Sequence, residues 1–408
     1  MSPALDACPG VLVLHPARDG LVARIRLPGG YATAARWRAL ADLSRDFGDG
    51  CVDVTARGNV QLRGLRAADG PALAARAAAA GLMPSAEHDR ARNIMASPLS
   101  GLDGRPPLRA LVDALDAALL AGPEFAALPG RFLFALDDGT GGAGLATSDI
   151  GLSYAAGSES GGRAEGGFDL FVAGRHAGVR VSAAEAVPVA VAATRAALAA
   201  GVGASVTRIG GLPDAGQSIA ATIGGTLAAA ALPDTRLPLG SCPRRGDVHD
   251  RDRYTAGLSG ESVTIMEETR DREADEGGGV VVVAARLGRL TGEQIRVITG
   301  LVAPGEVVRV GVAGRLVIPL VVAPEEAAEE LAAGGLIVGD EPMGDVTACS
   351  GAGCQRSLAD VRAAAGPVPN YRRTHWAGCS RLCGCPPDAE PVVALDATRY
   401  RMPGEGGA

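Results

Sequence analysis

The sequence predicts an α+β fold in which one small unit of strands and helices occurs twice, on either side of a larger α/β region. Three observations predict it. Residues 32–82 and 290–336 run through the same order of helix, glycine, alternating strand and second helix, with matching lengths and turn glycines. The 408-residue chain is 47% hydrophobic and 21% charged, which is enough to bury more than one core. Aromatic residues make up only 3%, so that core is built from Ala, Val, Leu and Ile.

In chain order, residues 1–85 open with the strand LVARIRLPGG, followed by a helix carrying Trp37, Leu40 and Leu43. Gly50 then precedes the alternating segment CVDVTARGNVQLRGL, read as one strand, and an Ala-rich helix closes at Ala80-Gly81-Leu82. Residues 279–342 repeat this with the strand GVVVVAARLG, a helix opened by Thr291, the strand EVVRVGVAGRLVIPLV after Gly305, and a helix from Pro324 to Gly334-Gly335-Leu336. Each unit thus reads strand, helix, strand, helix, the order of half a ferredoxin-like fold. Two such halves can pair their sheets and bury a common apolar face.

Residues 86–235 form the α/β region, with the strands FLFALDDG and FDLFVAG and the helix-like stretch VPVAVAATRAALAAGV. Residues 236–278 include TRDREADEGGG and read as a solvated linker. Residues 343–408 form a small cysteine-rich domain with little apolar material of its own.

Composition narrows the chemistry. The 39 basic residues are all Arg, against 46 acidic residues and a net charge of -7, so a nucleic-acid partner is not expected. Without lysine, Schiff-base mechanisms of the aldolase or pyridoxal kind are removed, and any carboxylate ligand must be held by guanidinium forks. The N-terminal segment has no basic and apolar leader pattern, and the longest apolar runs, Val280–Ala285 and Leu316–Ala323, are too short to span a bilayer. A cytoplasmic protein with no membrane partner is expected, a compartment in which cysteines serve metal or redox chemistry.

Five of the eight cysteines lie between Cys349 and Cys385. Cys349 and Cys354 are separated by four residues, Cys379 and Cys383 by three, spacings that let two loops each supply a thiolate pair to a 4Fe-4S cubane. Gly351, Gly353, Gly378 and Gly384 would permit the positive φ that aims amide N–H groups at sulfur, and QRSLADVRAAAG reads as a helix whose N-terminus favours an anionic group. A structural zinc site is the competing reading, and Cys385 could replace Cys383. Cys8, Cys51 and Cys242 read as small buried side chains, and His15 and His375 as structural.

These residues resemble the nitrite and sulfite reductase superfamily, whose members duplicate ferredoxin-like half-domains and carry a Cys-x5-Cys and Cys-x3-Cys cluster motif. DGLVARIRLPGG, DVTARGNVQLRGL, ARNIMASPLSGLD, LPGRFLFALDDG and the C-terminal cysteine pairs look closer to the precorrin-3B synthase branch. The resemblance implies α/β nitrite/sulfite-reductase-type domains beside the half-domains. It implies an oxygen-dependent monooxygenase converting precorrin-3A to precorrin-3B by ring hydroxylation and lactone formation in aerobic cobalamin synthesis. It also assigns a 4Fe-4S cluster to Cys349, Cys354, Cys379 and Cys383, with a further non-haem iron whose ligands no motif identifies. Two alternatives stand beside it: a nitrite or sulfite reductase with sirohaem, and a non-catalytic tetrapyrrole-binding iron-sulfur protein.

A tetrapyrrole rich in acetate and propionate carboxylates needs several guanidinium forks. Arg57 and Arg63 lie at even spacing in the first repeat's strand, hence on one face, and Gln61 shares it. Arg92 and Arg131 match positions where the reductases place basic side chains against tetrapyrrole carboxylates. Three departures stand out: four residues in place of five in the first cysteine pair, SRLCGC at the second, and VGVAGRLVIP in the second repeat, where Arg315 is the local basic residue. No electron donor is assigned.

Overall fold

In the computed structural model, which describes residues 6, 8–102, 105–156, 166–229, 266–267, 279–311, 314–339, 341–386 and 388–404, the chain divides into two units. One comprises Met1–Cys8, Arg26–Gly30 and Ser85–Tyr254; the other comprises Pro9–Ile25, Tyr31–Pro84 and Thr255–Ala408. The 236–278 linker lies outside the described residues except for the short strand at Met266–Glu267. Among the described residues no helix is long and apolar enough to cross a membrane.

The first repeat begins with β1 (His15–Ala17) and β2 (Gly20–Ile25), then β3 (Tyr31–Thr33) and α1 (Ala34–Phe47). Thr33 caps α1 by accepting from the Arg36 N–H at 3.3 Å, and Trp37, Leu40 and Leu43 form its buried stripe. The segment read as one strand is a hairpin instead, β4 (Cys51–Val54) and β5 (Val60–Leu65), followed by α2 (Gly70–Ala79). Its turn is fixed locally. Thr55 N–H donates to Asn59 O at 2.8 Å, Asn59 N–H donates to Thr55 Oγ1 at 3.1 Å, and Gly58 takes φ +68. A left-handed residue inside the TARGN segment breaks the ladder that strict alternation suggested.

The other unit contains β6 (Ile94–Ala96), α3 (Arg109–Ala121), β7 (Phe134–Asp137), β8 (Ile150–Ala155), β9 (Gly167–Val172), β10 (Arg175–Val181), α4 (Ala183–Ala199) and α5 (Gln217–Ala229). Its sheet runs β10-β9-β8-β7-β6, parallel from β6 to β8 and antiparallel beyond. β7 is buried along its whole length, as a parallel strand covered on both faces should be. α4 starts at a capping box in which Ser182 and Glu185 satisfy each other's backbone N–H groups.

The second repeat copies the first, hairpin included. After β11 (Met266–Glu267) come β12 (Gly279–Ala284), β13 (Arg289–Thr291), α6 (Gly292–Leu301), the hairpin β14 (Val307–Val310) and β15 (Arg315–Pro319), α7 (Pro324–Ala333) and β16 (Ile337–Val338). The two sheets run β1-β2-β5-β4-β13 and β11-β12-β15-β14-β3, with β16 also on β12. The strand before each copy's helix therefore adds to the other copy's sheet: Ala32 pairs with Val308, and Leu290 pairs with Val52. α1 packs against α6, burying Trp37 and Leu40 on one side and Ile295 and Ile298 on the other.

The cysteine-rich segment has its own sheet, β17 (Val346–Ala348), β18 (Thr374–Ala377), β19 (Glu390–Ala394) and β20 (Tyr400–Arg401), the first three parallel. Contrary to expectation it also has its own small core, in which Val346, Val361, Trp376 and Val392 are buried and Trp376 meets Tyr400 edge to face. The helix expected over QRSLADVRAAAG is one turn, α8 (Val361–Ala364). Upstream of it the chain makes a single turn, Ser357 N–H to Cys354 O, and Leu358 N–H then donates across to Gly378 O in place of an intrahelical carbonyl.

Candidate functional site

Strands β17 and β18 are adjacent and parallel, with Ala348 opposite Trp376, so their C-terminal ends deliver the two cysteine pairs to the same edge. Cys349 N–H donates to Trp376 O at 3.0 Å, and Gly378 N–H donates to Cys349 Sγ at 3.2 Å. Arg356 N–H donates to Cys354 Sγ at 3.4 Å. Burial pushes the Cys383 thiol up, and so do the neighbouring Cys379, Cys349 and Cys354, against a smaller opposing effect of Arg381. Cys349, Cys354, Cys379 and Cys383 thus lie within reach of one another's charge. Cys385 turns away, its thiol facing the Pro386 and Ala389 carbonyls at 3.5 and 3.8 Å.

The thiols are neighbours at the range of charge interaction. Among the described residues no three His, Cys, Asp or Glu side chains are gathered closely enough to hold a metal ion. Their surroundings nonetheless suit an anionic group bound through four thiolates, because backbone N–H groups already point at two of the sulfurs. The glycines serve two purposes, only one of which was expected. Gly351 and Gly384 take positive φ, whereas Gly353 and Gly378 are needed for close approach: a Cβ on Gly378 would lie 1.8 Å from Ser357 Oγ.

The arginines are placed differently from their sequence pattern. Arg57 lies in the hairpin turn, half-buried, and so does not share a strand face with Gln61 and Arg63; the turn at Gly58 takes it out of register. Gln61 and Arg63 are both on β5. Gln61 lies opposite Arg24 of β2; with its amide oriented oxygen toward the guanidinium it accepts from Arg24 Nε and Nη2 at 3.2 and 2.5 Å. Arg63 is buried and grips Asp19 with two bonds of 2.9 Å. Arg315 of the second repeat is likewise buried, on Asp345 at 2.8 Å.

In the other unit, Arg92 is buried and bidentate to Asp116 of α3, both bonds 2.6 Å, while Arg131 is exposed just before β7. The two units therefore hold separate members of the expected guanidinium set. His15 is exposed on β1. His375 is buried beside Thr347 Oγ1, 2.9 Å from Nδ1, and burial pulls its pKa down to about 4, so the ring is neutral.

Sequence reasoning missed four residues at or beside the cysteine loops: Asp53, Arg362, Arg289 and Asp19. Asp53, buried in β4, takes Arg362 Nη2 at 3.0 Å and faces Arg289 Nη1 at 3.6 Å; Arg362 Nε also donates to Cys349 O at 3.1 Å. Burial opposes the charge of Arg289, but Asp53 and Asp49 outweigh it and hold its pKa above the ordinary value. Asp19 is the partner of Arg63. The signal for Asp53 was present in CVDV: a carboxylate in an otherwise apolar strand requires a buried cation.

With this geometry in view, residues 15–80 match the family described as nitrite/sulfite reductase ferredoxin-like half domain. The solved NirA protein of Mycobacterium tuberculosis superposes with a TM-score of 0.66 at 21% identity, covering 90% of this chain and 69% of that one. The fold is of the nitrite/sulfite reductase type. A ferredoxin-nitrite reductase of Synechococcus elongatus is 37% identical over 134 residues, 31% of this chain and 26% of that protein. A precorrin-3B synthase of Sinorhizobium sp is 44% identical over 68 residues, 17% of this chain and 15% of that protein. The chain spans about a quarter or less of the length of these curated relatives. The matched half domain contains Arg57, Gln61 and Arg63, but none of Cys349, Cys354, Cys379 and Cys383.

Proposed function

We propose that the chain is an oxidoreductase of the precorrin-3B synthase kind, holding a 4Fe-4S cluster through Cys349, Cys354, Cys379 and Cys383. Its substrate would be precorrin-3A, which would gain one oxygen atom of O2 by hydroxylation and close to a lactone, the second oxygen atom leaving as water with two electrons from an external one-electron or hydride donor. The observation that carries this reading is that β17 and β18, adjacent and parallel, lead directly into the two cysteine segments at one edge of the sheet. The 44% identity to a precorrin-3B synthase supports the branch. A cluster supplies or accepts single electrons when bound. The chain's own contribution is to hold the thiolates, direct N–H groups at them, and bind substrate carboxylates. Arg57 is the proposed carboxylate ligand of one unit and Arg131 that of the other, each taken by itself; Arg92 is bidentate to Asp116. A further non-haem iron belongs to the same reading, with no ligands assigned.

The 37% identity over 134 residues to a nitrite reductase favours a second reading, in which the tetrapyrrole is a resident sirohaem. Iron and acid-labile sulfide analysis beside a spectrum of the extracted pigment tests both. Iron and sulfide in equal amount, no sirohaem, and conversion of precorrin-3A that stops without oxygen are expected. Extracted sirohaem would replace the first reading with the second, and zinc without sulfide would remove the cluster. Tight binding of precorrin-3A by the loaded protein, without turnover, would leave a non-catalytic binding protein.

A further inference from the structure

We infer that Arg63 and Arg362 are positioning residues that seat the Cys349–Cys354 loop on the first half-domain; the inference rests on the cluster reading only for what those cysteines hold. A loop that curls to present thiols leaves carbonyls without ladder partners, and these must find donors elsewhere. Here the donors are guanidinium groups at each end of the loop. Arg362 Nε donates to Cys349 O at 3.1 Å, and Arg63 Nη2 donates to Gly353 O at 3.3 Å, beside the Arg18 N–H at 2.9 Å.

Each guanidinium is anchored on its other side by an aspartate of the half-domain. Arg63 holds both oxygens of Asp19, between β1 and β2, at 2.9 Å. Arg362 holds Asp53 of β4 at 3.0 and 3.4 Å. Arg63 and Asp53 are 5% and 4% exposed, so each pair has one buried member. The seat is tight as well: a Cβ on Gly353 would lie 2.4 Å from Asp19 Oδ2 and 2.8 Å from Arg63 Nη2. A planar fork can grip a carboxylate and still offer an N–H to a carbonyl, which a lysine ammonium does with poorer geometry. Arg63, whose position in the sequence suggested a clamp for substrate carboxylates, is already neutralised by Asp19 and acts on the loop instead.

The test uses the full chain stripped of metal, with thiol alkylation followed at each cysteine by peptide mass spectrometry. Asp19→Asn, Arg63→Lys and Arg362→Gln are expected to raise the alkylation rate of Cys349 and Cys354 about tenfold, the weight of one charge-assisted hydrogen bond. Cys385 should react at the wild-type rate. Unchanged rates at Cys349 and Cys354, or a rise at Cys385 in step with them, would overturn the inference. A second measurement separates the substrate-clamp role. Asp19→Asn frees the Arg63 fork, so tighter binding of uroporphyrin with unaltered alkylation would assign Arg63 to the ligand and sink the positioning role. Wild-type protein that takes up no iron or sulfide refutes the cluster, while the alkylation rates still decide the seat.

Discussion

Gly378→Ala places a methyl group where Ser357 already stands. The added Cβ would lie 1.8 Å from Ser357 Oγ, 2.9 Å from its Cβ and 3.3 Å from its Cα, so rotating the hydroxyl away does not relieve the overlap. Ser357 is buried and donates to Ala359 O at 2.7 Å, and Leu358 N–H donates to Gly378 O at 2.8 Å, pinning the two loops together. Overpacking of this kind costs about 1–3 kcal/mol. Losing the Ser357 bond adds about 1 kcal/mol, for a total of about 2–4 kcal/mol. Urea unfolding followed by Trp376 fluorescence reads this directly in a Trp37→Phe background, since the chain has two tryptophans. With a slope of about 2 kcal/mol/M the midpoint should fall by about 1–2 M. Ser357→Gly removes the opposing atoms, so the double variant should unfold close to Ser357→Gly alone, a coupling of at least about 1 kcal/mol. A wild-type midpoint for Gly378→Ala, or strict additivity in the double variant, would refute the reasoning.

Three further outcomes are expected. Cys385→Ser should keep iron and acid-labile sulfide after reconstitution, because its thiol faces backbone carbonyls, whereas Cys383→Ser should lose most of both. Arg92→Ala should lower thermal stability by about 3 kcal/mol by leaving the Asp116 carboxylate without its partner, and Arg92→Leu with Asp116→Leu should recover most of it. Asp169 gives a pH dependence: burial would raise its pKa, but the His176 ring 3.6 Å away and the bidentate Arg180 guanidinium bring it from 3.8 down to about 2. Its contribution is therefore present above about pH 4 and lost as pH falls toward 2, about 1 kcal/mol after discounting for solvent screening. Urea midpoints of wild type and Asp169→Asn should converge across that window.

The repeat was legible because its signals are local and occur twice: a cap and an apolar stripe in each first helix, and a glycine-leucine exit from each second helix. The hairpins were not, because alternation in CVDVTARGNVQLRGL is continuous and only the left-handed φ of Gly58 interrupts it. Nor was the exchange of β3 and β13 between sheets. Three-residue strands carry too little pattern to choose a partner; Ala32 and Leu290 find Val308 and Val52 through contacts far away in sequence. The cysteine segment looked too polar to stand alone because its apolar residues are scattered. The parallel strands β17, β18 and β19 gather Val346, Trp376 and Val392 from positions spread over nearly fifty residues (346 to 392).

For the site, residue type was legible and partnership was not. Cysteine spacing singled out two pairs, and parallel β17 and β18 put both at one edge. Arginine, by contrast, has no spacing signature, since its long side chain reaches whichever carboxylate the fold brings near. Arg63 and Arg92 stood in suggestive motifs, yet Asp19, 44 residues from one, and Asp116, 24 residues from the other, hold them. A guanidinium already bidentate to an aspartate must break that pair before it can serve a substrate carboxylate, and when buried the exchange leaves an aspartate without its counter-charge. That cost sets Arg63 and Arg92, each bidentate to an aspartate, apart as struts that shape their own surroundings.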